Sequence, residues 1–340
     1  MLRGLPVRLS SPGDTVKLRR SMRPTPSEVM FRSNDPDDLR IGDVVVPVSD
    51  IPADADKVCV LIGVPQDIGI ERNGGRPGAA TGPAAIRRAL SKLTINGMQE
   101  RLTSGRLVIA DAGDVDTDGK TLEQIHDEQH DVVSEALRAG YLPIVLGGGH
   151  DCAWPTIRAM ESLGKPYGAI NIDAHADVRP LKEGRAHSGS PFHQLLSMSE
   201  SHLLAGGFAE FGLQRHSVAE QHLAFVNNAG MQNWMLDEIR DTGLDTAWDR
   251  VWLSCAAAHR VYVSLDMDAF ASAYSPGVSA PAADGFNPNE IASCLRRASA
   301  SGSLAAFDIV ECSPAFDVDG RTAKLAATMI WEVMRAGFGF

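Results

Sequence analysis

The sequence predicts an α/β protein, with a largely parallel sheet covered by helices on both faces. Two observations carry this. Short apolar runs alternate with longer stretches of helical spacing along most of the chain, as in units that cross from one strand to a parallel neighbour. The acidic and imidazole residues that interrupt the apolar pattern fall at the C-terminal ends of those runs, the edge where open α/β sheets bind their ligands.

Residues 1–40 carry little periodicity and several prolines, so they read as a loosely structured arm before a single domain over 41–340. Arginines at positions 3, 8, 19, 20, 23 and 32 face only Asp14 and Glu28, a bias resembling an organellar transit peptide. Pro6, Pro12, Pro24 and Pro26 would interrupt the amphipathic helix such a peptide needs, which leaves a loose arm as the simpler reading.

The run 57–64 (KVCVLIGV) is a buried strand. The glycine-rich loop 71–78 after it matches neither a phosphate-binding loop nor a dinucleotide fingerprint. Thr81-Gly82-Pro83 then opens a helix through Leu90, with Pro in its first turn. A strand over 106–110 precedes an amphipathic helix over 121–139, which turns Ile125, Val132, Val133, Ala136 and Leu137 to the core. The strand 141–146 runs into Gly147-Gly148-Gly149-His150-Asp151, and a helix over 153–163 leads to the strand 167–173. Residues 200–250 mix helix and loop with a strand or two. Beyond them come a strand over 260–265, a helix over 288–300, a strand over 304–310 and a closing helix over 323–337. No repeat or low-complexity linker divides the chain, so one domain is expected.

Composition narrows the function. A 340-residue chain with 44% hydrophobic and 22% charged residues suits a soluble globular enzyme. Its net charge of −11 argues against a nucleic-acid partner, which needs a basic face. The five cysteines are scattered without a CxxC pair and read as reduced thiols in a cytosol-like compartment. No apolar run approaches the roughly 18 residues of a membrane span.

The stretch Ile170-Asn171-Ile172-Asp173-Ala174-His175-Ala176-Asp177 organises the rest. Alternate side chains of an extended segment share a face, so Asp173, His175 and Asp177 converge if the extended form persists. Neighbouring buried carboxylates resist joint ionisation, and a divalent cation removes that cost. His150, Asp173, Asp266 and Glu311 each end a different strand, so four distant segments deliver polar groups to one rim. Taken singly, each has a plainer reading: a hydrogen-bonded loop His, an Asp-rich turn, a solvated strand end for Asp266 and Asp268, a cap or Arg partner for Glu311. Taken together, His150, Asp173, His175, Asp177, Asp266 and Asp268 supply two imidazoles and four carboxylates, enough for two metals bridged by shared carboxylates. A mostly oxygen shell favours Mn²⁺ over thiolate-preferring metals.

The segments Gly148-Gly149-His150-Asp151, Asp173-Ala174-His175-Ala176-Asp177, Ser264-Leu265-Asp266-Met267-Asp268 and Asp308-Ile309-Val310-Glu311 stand in the order of the ureohydrolase (arginase and agmatinase) family. From about residue 55 onward the chain resembles that family. The resemblance implies a three-layer α/β/α domain, a site for two Mn²⁺ per subunit, and a homo-oligomer, trimer or hexamer. By position, His150 and Asp177 would bind one metal, His175 and Asp268 the other, and Asp173 and Asp266 would bridge both. It also implies that metal-activated water attacks a planar amidine carbon. Asp177 would orient the water, Glu311 would pair with the cationic C–N group, and His187 would protonate the departing amine. A loop histidine bonded to backbone stays open as the alternative for His187.

Arg179 stands where arginases and agmatinases usually have Asn, and Tyr274-Ser275-Pro276-Gly277-Val278-Ser279-Ala280-Pro281 departs from their Pro-Gly-Thr-Gly form. With Ala186-His187-Ser188-Gly189-Ser190-Pro191-Phe192, these segments look like the family's formimidoylglutamase branch, which converts N-formimidoyl-L-glutamate and water to L-glutamate and formamide. An Arg fork suits a substrate carboxylate and repels the distal ammonium of agmatine. Arg179 is thus the candidate for one carboxylate, and Arg76, with Asn73 in the same loop, for the other. An ion pair of Arg179 with Asp177 or another nearby acid, and bonds from Arg76 to the carbonyls of its own loop, are the structural alternatives. A guanidino-acid hydrolase releasing urea is the competing activity, and a catalytically silent binding subunit the competing class.

Overall fold

Aliphatic runs flanked by glycine and polar residues form the strands: β1 (Met22–Arg23), β2 (Val46–Pro47), β3 (Lys57–Gly63), β4 (Leu107–Val115), β5 (Leu142–Leu146), β6 (Tyr167–Ile172), β7 (Leu203–Leu213), β8 (Gln232–Met235), β9 (Val261–Asp266) and β10 (Leu304–Val310). The structure is a computed structural model and describes residues 22–337. The strands build one sheet in the order β1-β4-β3-β5-β10-β9-β6-β7-β8, with β2 also paired to β4. Every described pairing is parallel except that of the short β1 with β4.

Helices cover both faces, as the alternation of elements predicts. Gly82–Leu90, Leu244–Cys255, Pro288–Ala300 and Arg321–Gly337 pack on one face, against Ile170, Val263, Leu265, Phe307 and Ile309. Leu122–Arg138, Ala153–Glu161, Pro191–Leu196 and Glu220–Asn228 pack on the other. Each fully buried aliphatic side chain of this kind contributes roughly 1.5–3 kcal/mol. Two helices start on capping boxes, Thr121 with Gln124 and Asn287 with Glu290. The domain is thus a three-layer α/β/α sandwich.

The structure departs from the sequence expectations in three places. β4 runs on through Asp111 and Asp114, because the buried Arg87 guanidinium donates to both Asp111 oxygens at 3.0 and 2.9 Å and to Asp114 at 2.5 Å. Residues 71–73 lie in a helix, Ile68–Asn73, rather than in a loop. Over 200–250 the expected mixture of helix, loop and a strand or two takes the form of the long β7, the edge strand β8 and three helices, the last running on to Cys255. Residues 22–40 are fastened to the domain: β1 pairs with the end of β4, and the Thr25 hydroxyl donates to Asp111 at 2.9 Å. The rest of the expected arm, residues 1–21, lies outside the described residues. No helix among the described residues is long and apolar enough to cross a membrane. All five cysteines are buried free thiols.

Candidate metal centre and active site

The strand order explains why the polar strand ends meet. β5, β10, β9 and β6 are consecutive in the sheet. His150 follows β5, Glu311 follows β10, Asp266 ends β9 with Asp268 two residues on, and Asp173 follows β6. Their backbones therefore lie side by side along one edge, about 4.8 Å from strand to strand.

Two groups of ligand atoms result. His150, Asp173, Asp177 and Asp266 form the first, and Asp173, His175 and Asp268 the second. His150 Nδ1 lies 3.2 Å from Asp173 Oδ2, 3.0 Å from Asp177 Oδ2 and 3.1 Å from Asp266 Oδ2. His175 Nδ1 lies 3.5 Å from Asp173 Oδ1 and 3.1 Å from Asp268 Oδ2. One oxygen of Asp173 thus faces each group, the geometry of a bridging carboxylate. Asp266 enters the first group only, and its Oδ1 accepts from the Asp268 backbone N–H at 2.7 Å.

The convergence of Asp173, His175 and Asp177 does not come from an extended strand. β6 ends at Ile172, Asp173 Oδ1 accepts from the His175 N–H at 2.7 Å, and Asp177 has φ +45°. This Asx-type turn aims Asp173 and Asp177 at the first group and swings His175 to the second. Glu311 also has positive φ, +64°. A non-glycine residue in that region is held at a cost of order 1–3 kcal/mol, a pattern common at functional sites.

The residues fit a pair of divalent cations. His150 Nδ1 is buried and has no hydrogen-bond partner, although three carboxylate oxygens surround it. They are arranged about a common point rather than along N–H directions. Its other nitrogen is committed: Nε2–H donates to Ser264 Oγ at 3.0 Å, Ser264 donates to Asp308 Oδ1 at 2.5 Å, and the Tyr262 hydroxyl donates to Asp308 Oδ2. This chain fixes the tautomer that leaves the Nδ1 lone pair for a metal. Without a cation the cluster must take up protons. Burial, then the charges of Asp268 and Asp173, drive Asp266 well above the usual carboxylate range. Burial also pushes Asp268 up to about 6. Against burial, the surrounding carboxylates hold His150 well above its usual value.

The glycines before His150 are required by close approach. A Cβ on Gly148 would sit 1.6 Å from the Gln66 carbonyl oxygen. Asp151, beside His150, accepts from Gln66 at 2.8 Å and contacts His126 Nε2 at 2.8 Å, which fastens this turn from behind.

Around the rim, Glu311 Oε1 accepts from the His150 N–H at 3.0 Å. Burial, with the charges of Asp268 and Asp177 adding to it, pushes this carboxyl up to about 8. The Asp177 side chain is 14% exposed, against 1% for His150 and 0% for Asp173, so it is the member of the first group that reaches the open side. Arg179 is exposed, donates through Nη1 to Asn73 Oδ1 at 3.0 Å, and pairs with no acid among the described residues; Asn73 Nδ2 in turn donates to Ser188 Oγ at 3.1 Å. The structure thus sets Asn73 against Arg179 rather than beside Arg76, with which the sequence reading groups it.

Two expected residues are placed differently. Arg76 Nε and Nη2 donate to the carbonyls of Ser279 and Val278 at 2.9 and 2.8 Å, and its guanidinium stacks on Phe316. It clamps the 278–279 segment instead of standing free for a carboxylate. His187 is buried, with Nε2–H donating to the Pro180 carbonyl at 3.1 Å and Nδ1 accepting from the Gly189 N–H at 3.1 Å. Both ring nitrogens are engaged with backbone, so no proton-donating nitrogen is left for a leaving group in this arrangement.

Sequence reasoning passed over Ser264, Asp308 and Tyr262 as functional groups, although Ser264, a polar residue two positions before the ligand Asp266 on the same strand, is a legible signal. Burial lowers the pKa of the half-buried His222, and then the charge of Arg179 does, with Asp177 opposing. No local pattern marks that residue.

The Arginase family model matches residues 57–336. The chain belongs to the arginase family. Within this family, a formimidoylglutamase of Aromatoleum aromaticum is 35% identical over 81% of the chain and 82% of its own length. A formimidoylglutamase of Nocardia farcinica is 33% identical over 92% of the chain and 97% of its length. The crystal structure of Trypanosoma cruzi formiminoglutamase with two Mn²⁺ superposes with a TM-score of 0.77 at 34% identity, covering 84% of this chain and 94% of that one.

Proposed function

We propose that this chain hydrolyses N-formimidoyl-L-glutamate to L-glutamate and formamide, using two Mn²⁺ held by His150, Asp173, His175, Asp177, Asp266 and Asp268. The observation that carries the reading is an exposed Arg179, braced by Asn73, two residues beyond a carboxylate of a cluster built for two cations. Relatives named for this reaction, similar over most of their length, support it.

When bound, the cations supply Lewis acidity that activates water near neutral pH. The chain's own residues do the rest. Glu311, with Oε1 tied to the His150 N–H, presents its other oxygen to the N–H groups of the cationic amidine and sets the carbon over the cluster. Asp177 offers a carboxylate oxygen to orient the attacking water. Arg179 binds a glutamate carboxylate through its guanidinium edge. Water oxygen becomes the formamide carbonyl, the carbon–nitrogen bond to glutamate breaks, and the two protons of that water pass to the departing glutamate nitrogen, which leaves as an ammonium. His187 shapes the 180–189 turn that carries the rim. The five buried thiols support work in a reducing, cytosol-like compartment.

The test is to incubate Mn²⁺-loaded protein with N-formimidoyl-L-glutamate and assay formamide and glutamate, running arginine, agmatine and guanidinobutyrate in parallel for urea. Turnover of the first alone is expected. Urea from one of the others would keep the metal site and overturn the substrate.

A further inference from the structure

Beneath the metal ligands lies a buried polar row. Cross-strand register places Glu210 of β7 beside Asn171 of β6, Asn171 beside Ser264 of β9, and Ser264 beside Asp308 of β10. All four are fully buried. Ser264 and Asp308 serve His150 as described above. Glu210 and Asn171 have no role in the chemistry so far.

Their geometry is specific. Asn171 Nδ2 donates to Glu210 Oε2 at 2.8 Å and to Asp173 Oδ2 at 3.3 Å. Asp173 is an acceptor only, so the amide must present its NH₂ end to it; the reversed amide would set its oxygen against Asp173 Oδ2. Asp173 Oδ2 is the oxygen that faces His150, while Oδ1 is held by the His175 N–H. The two oxygens of the shared ligand are therefore fixed by separate donors. Glu210 Oε1 and Asn171 Oδ1 are buried without partners. Leaving such atoms unsatisfied costs stability, which apolar residues of the same shape avoid.

From this arrangement we propose that Glu210 is a positioning residue: it locks the Asn171 amide, which in turn orients the Asp173 oxygen directed at the His150 metal. Burial drives the Glu210 carboxyl well above the usual range, so glutamine closely imitates it. The inference rests on the two-cation reading of the site.

The test measures Mn²⁺ affinity by titration of chelator-treated protein, with the melting temperature of the metal-free form beside it. Glu210→Met fills the space but offers Asn171 no acceptor. One of the two binding steps should weaken by about 10- to 100-fold, the effect typical of lost support behind a metal ligand. Glu210→Gln should bind like wild type, and the metal-free melting temperature of both variants should stay close to wild type. If Glu210→Met fails to fold, Asn171→Ala removes the same bridge and should show the same loss. Wild-type affinity in the variant lacking the bridge, or an equal loss in Glu210→Gln, would overturn the inference. Wild-type protein taking up fewer than two ions would instead count against the two-cation reading itself.

Discussion

The His150 backbone N–H donates to Glu311 Oε1 at 3.0 Å, tying a metal-cluster residue to the acid assigned to the substrate. With cations bound nearby favouring the ionised Glu311, glutamine at position 311 keeps an acceptor for that N–H and removes the carboxylate charge facing the amidine. Glu311→Gln should lower kcat by about 100-fold or more while Mn²⁺ content stays at the wild-type level, since charge stabilisation of the reacting group carries effects of that size. Steady-state kinetics with metal analysis of the same sample checks this; near-normal turnover removes Glu311 from the role.

Asp173 is the carboxylate common to both ligand groups. Asp173→Ala should cost the protein both ions, whereas Asp268→Ala, outside the His150 group, should spare one. Metal analysis after dialysis reads the difference, and two ions retained by Asp173→Ala would remove it as the bridge.

Arg179→Asn should raise KM for formimidoylglutamate by about 10- to 100-fold, the worth of a hydrogen-bonded charge, with metal content unchanged. Asn73→Ala should move KM in the same direction by less, because it loosens the guanidinium without deleting it. An unchanged KM in Arg179→Asn would move carboxylate recognition elsewhere on the rim.

His187 bonds backbone through both ring nitrogens. His187→Ala should slow turnover by loosening the 180–189 turn and leave the pH dependence of kcat in place. Loss of one limb of that profile would return the proton-donor role to His187.

The rim is also held by Arg72, which pairs with Glu123 at 2.5 Å and donates to the Ala186 carbonyl at 3.0 Å. The Arg72 hydrogen bond holds the Glu123 carboxyl down to about 2, below its ordinary 4.5. A depressed carboxylate stabilises the fold above its unfolded pKa and loses that contribution as pH falls through the folded value. Melting temperatures of wild type and Glu123→Gln should therefore differ most above pH 4.5 and converge toward pH 2. Parallel curves would show that the pair contributes nothing measurable, as many exposed pairs do.

Much of this site was legible because its ligands interrupt apolar strands, and polar groups at strand ends stand out against Val, Ile and Leu. The bounds 288–300 and 304–310 match the helix and strand observed there, where Pro288 and the aliphatic run leave no competing pattern. Other features depend on partners distant in sequence. Nothing near Asp111 announces that Arg87 will neutralise it and let β4 continue. Nothing in Asp173–Asp177 distinguishes an extended strand from a turn, since both put Asp and His at these positions. Arg76 and His187 show the same limit: residue type was read correctly, but the carbonyls that engage them belong to loops set by the fold.

Strand order also dictates when the centre can exist during folding. β10, last of the strands in sequence, lies between β5 and β9 in the middle of the sheet. A growing chain that has not yet delivered residues 304–310 has a gap at its centre rather than a missing edge, with His150 and Asp266 held apart by an absent strand. Capture of an ion by His150, Asp173, Asp177 and Asp266 then requires that strand in place, whereas the Asp173, His175 and Asp268 group, built on the adjacent β6 and β9, does not wait for it.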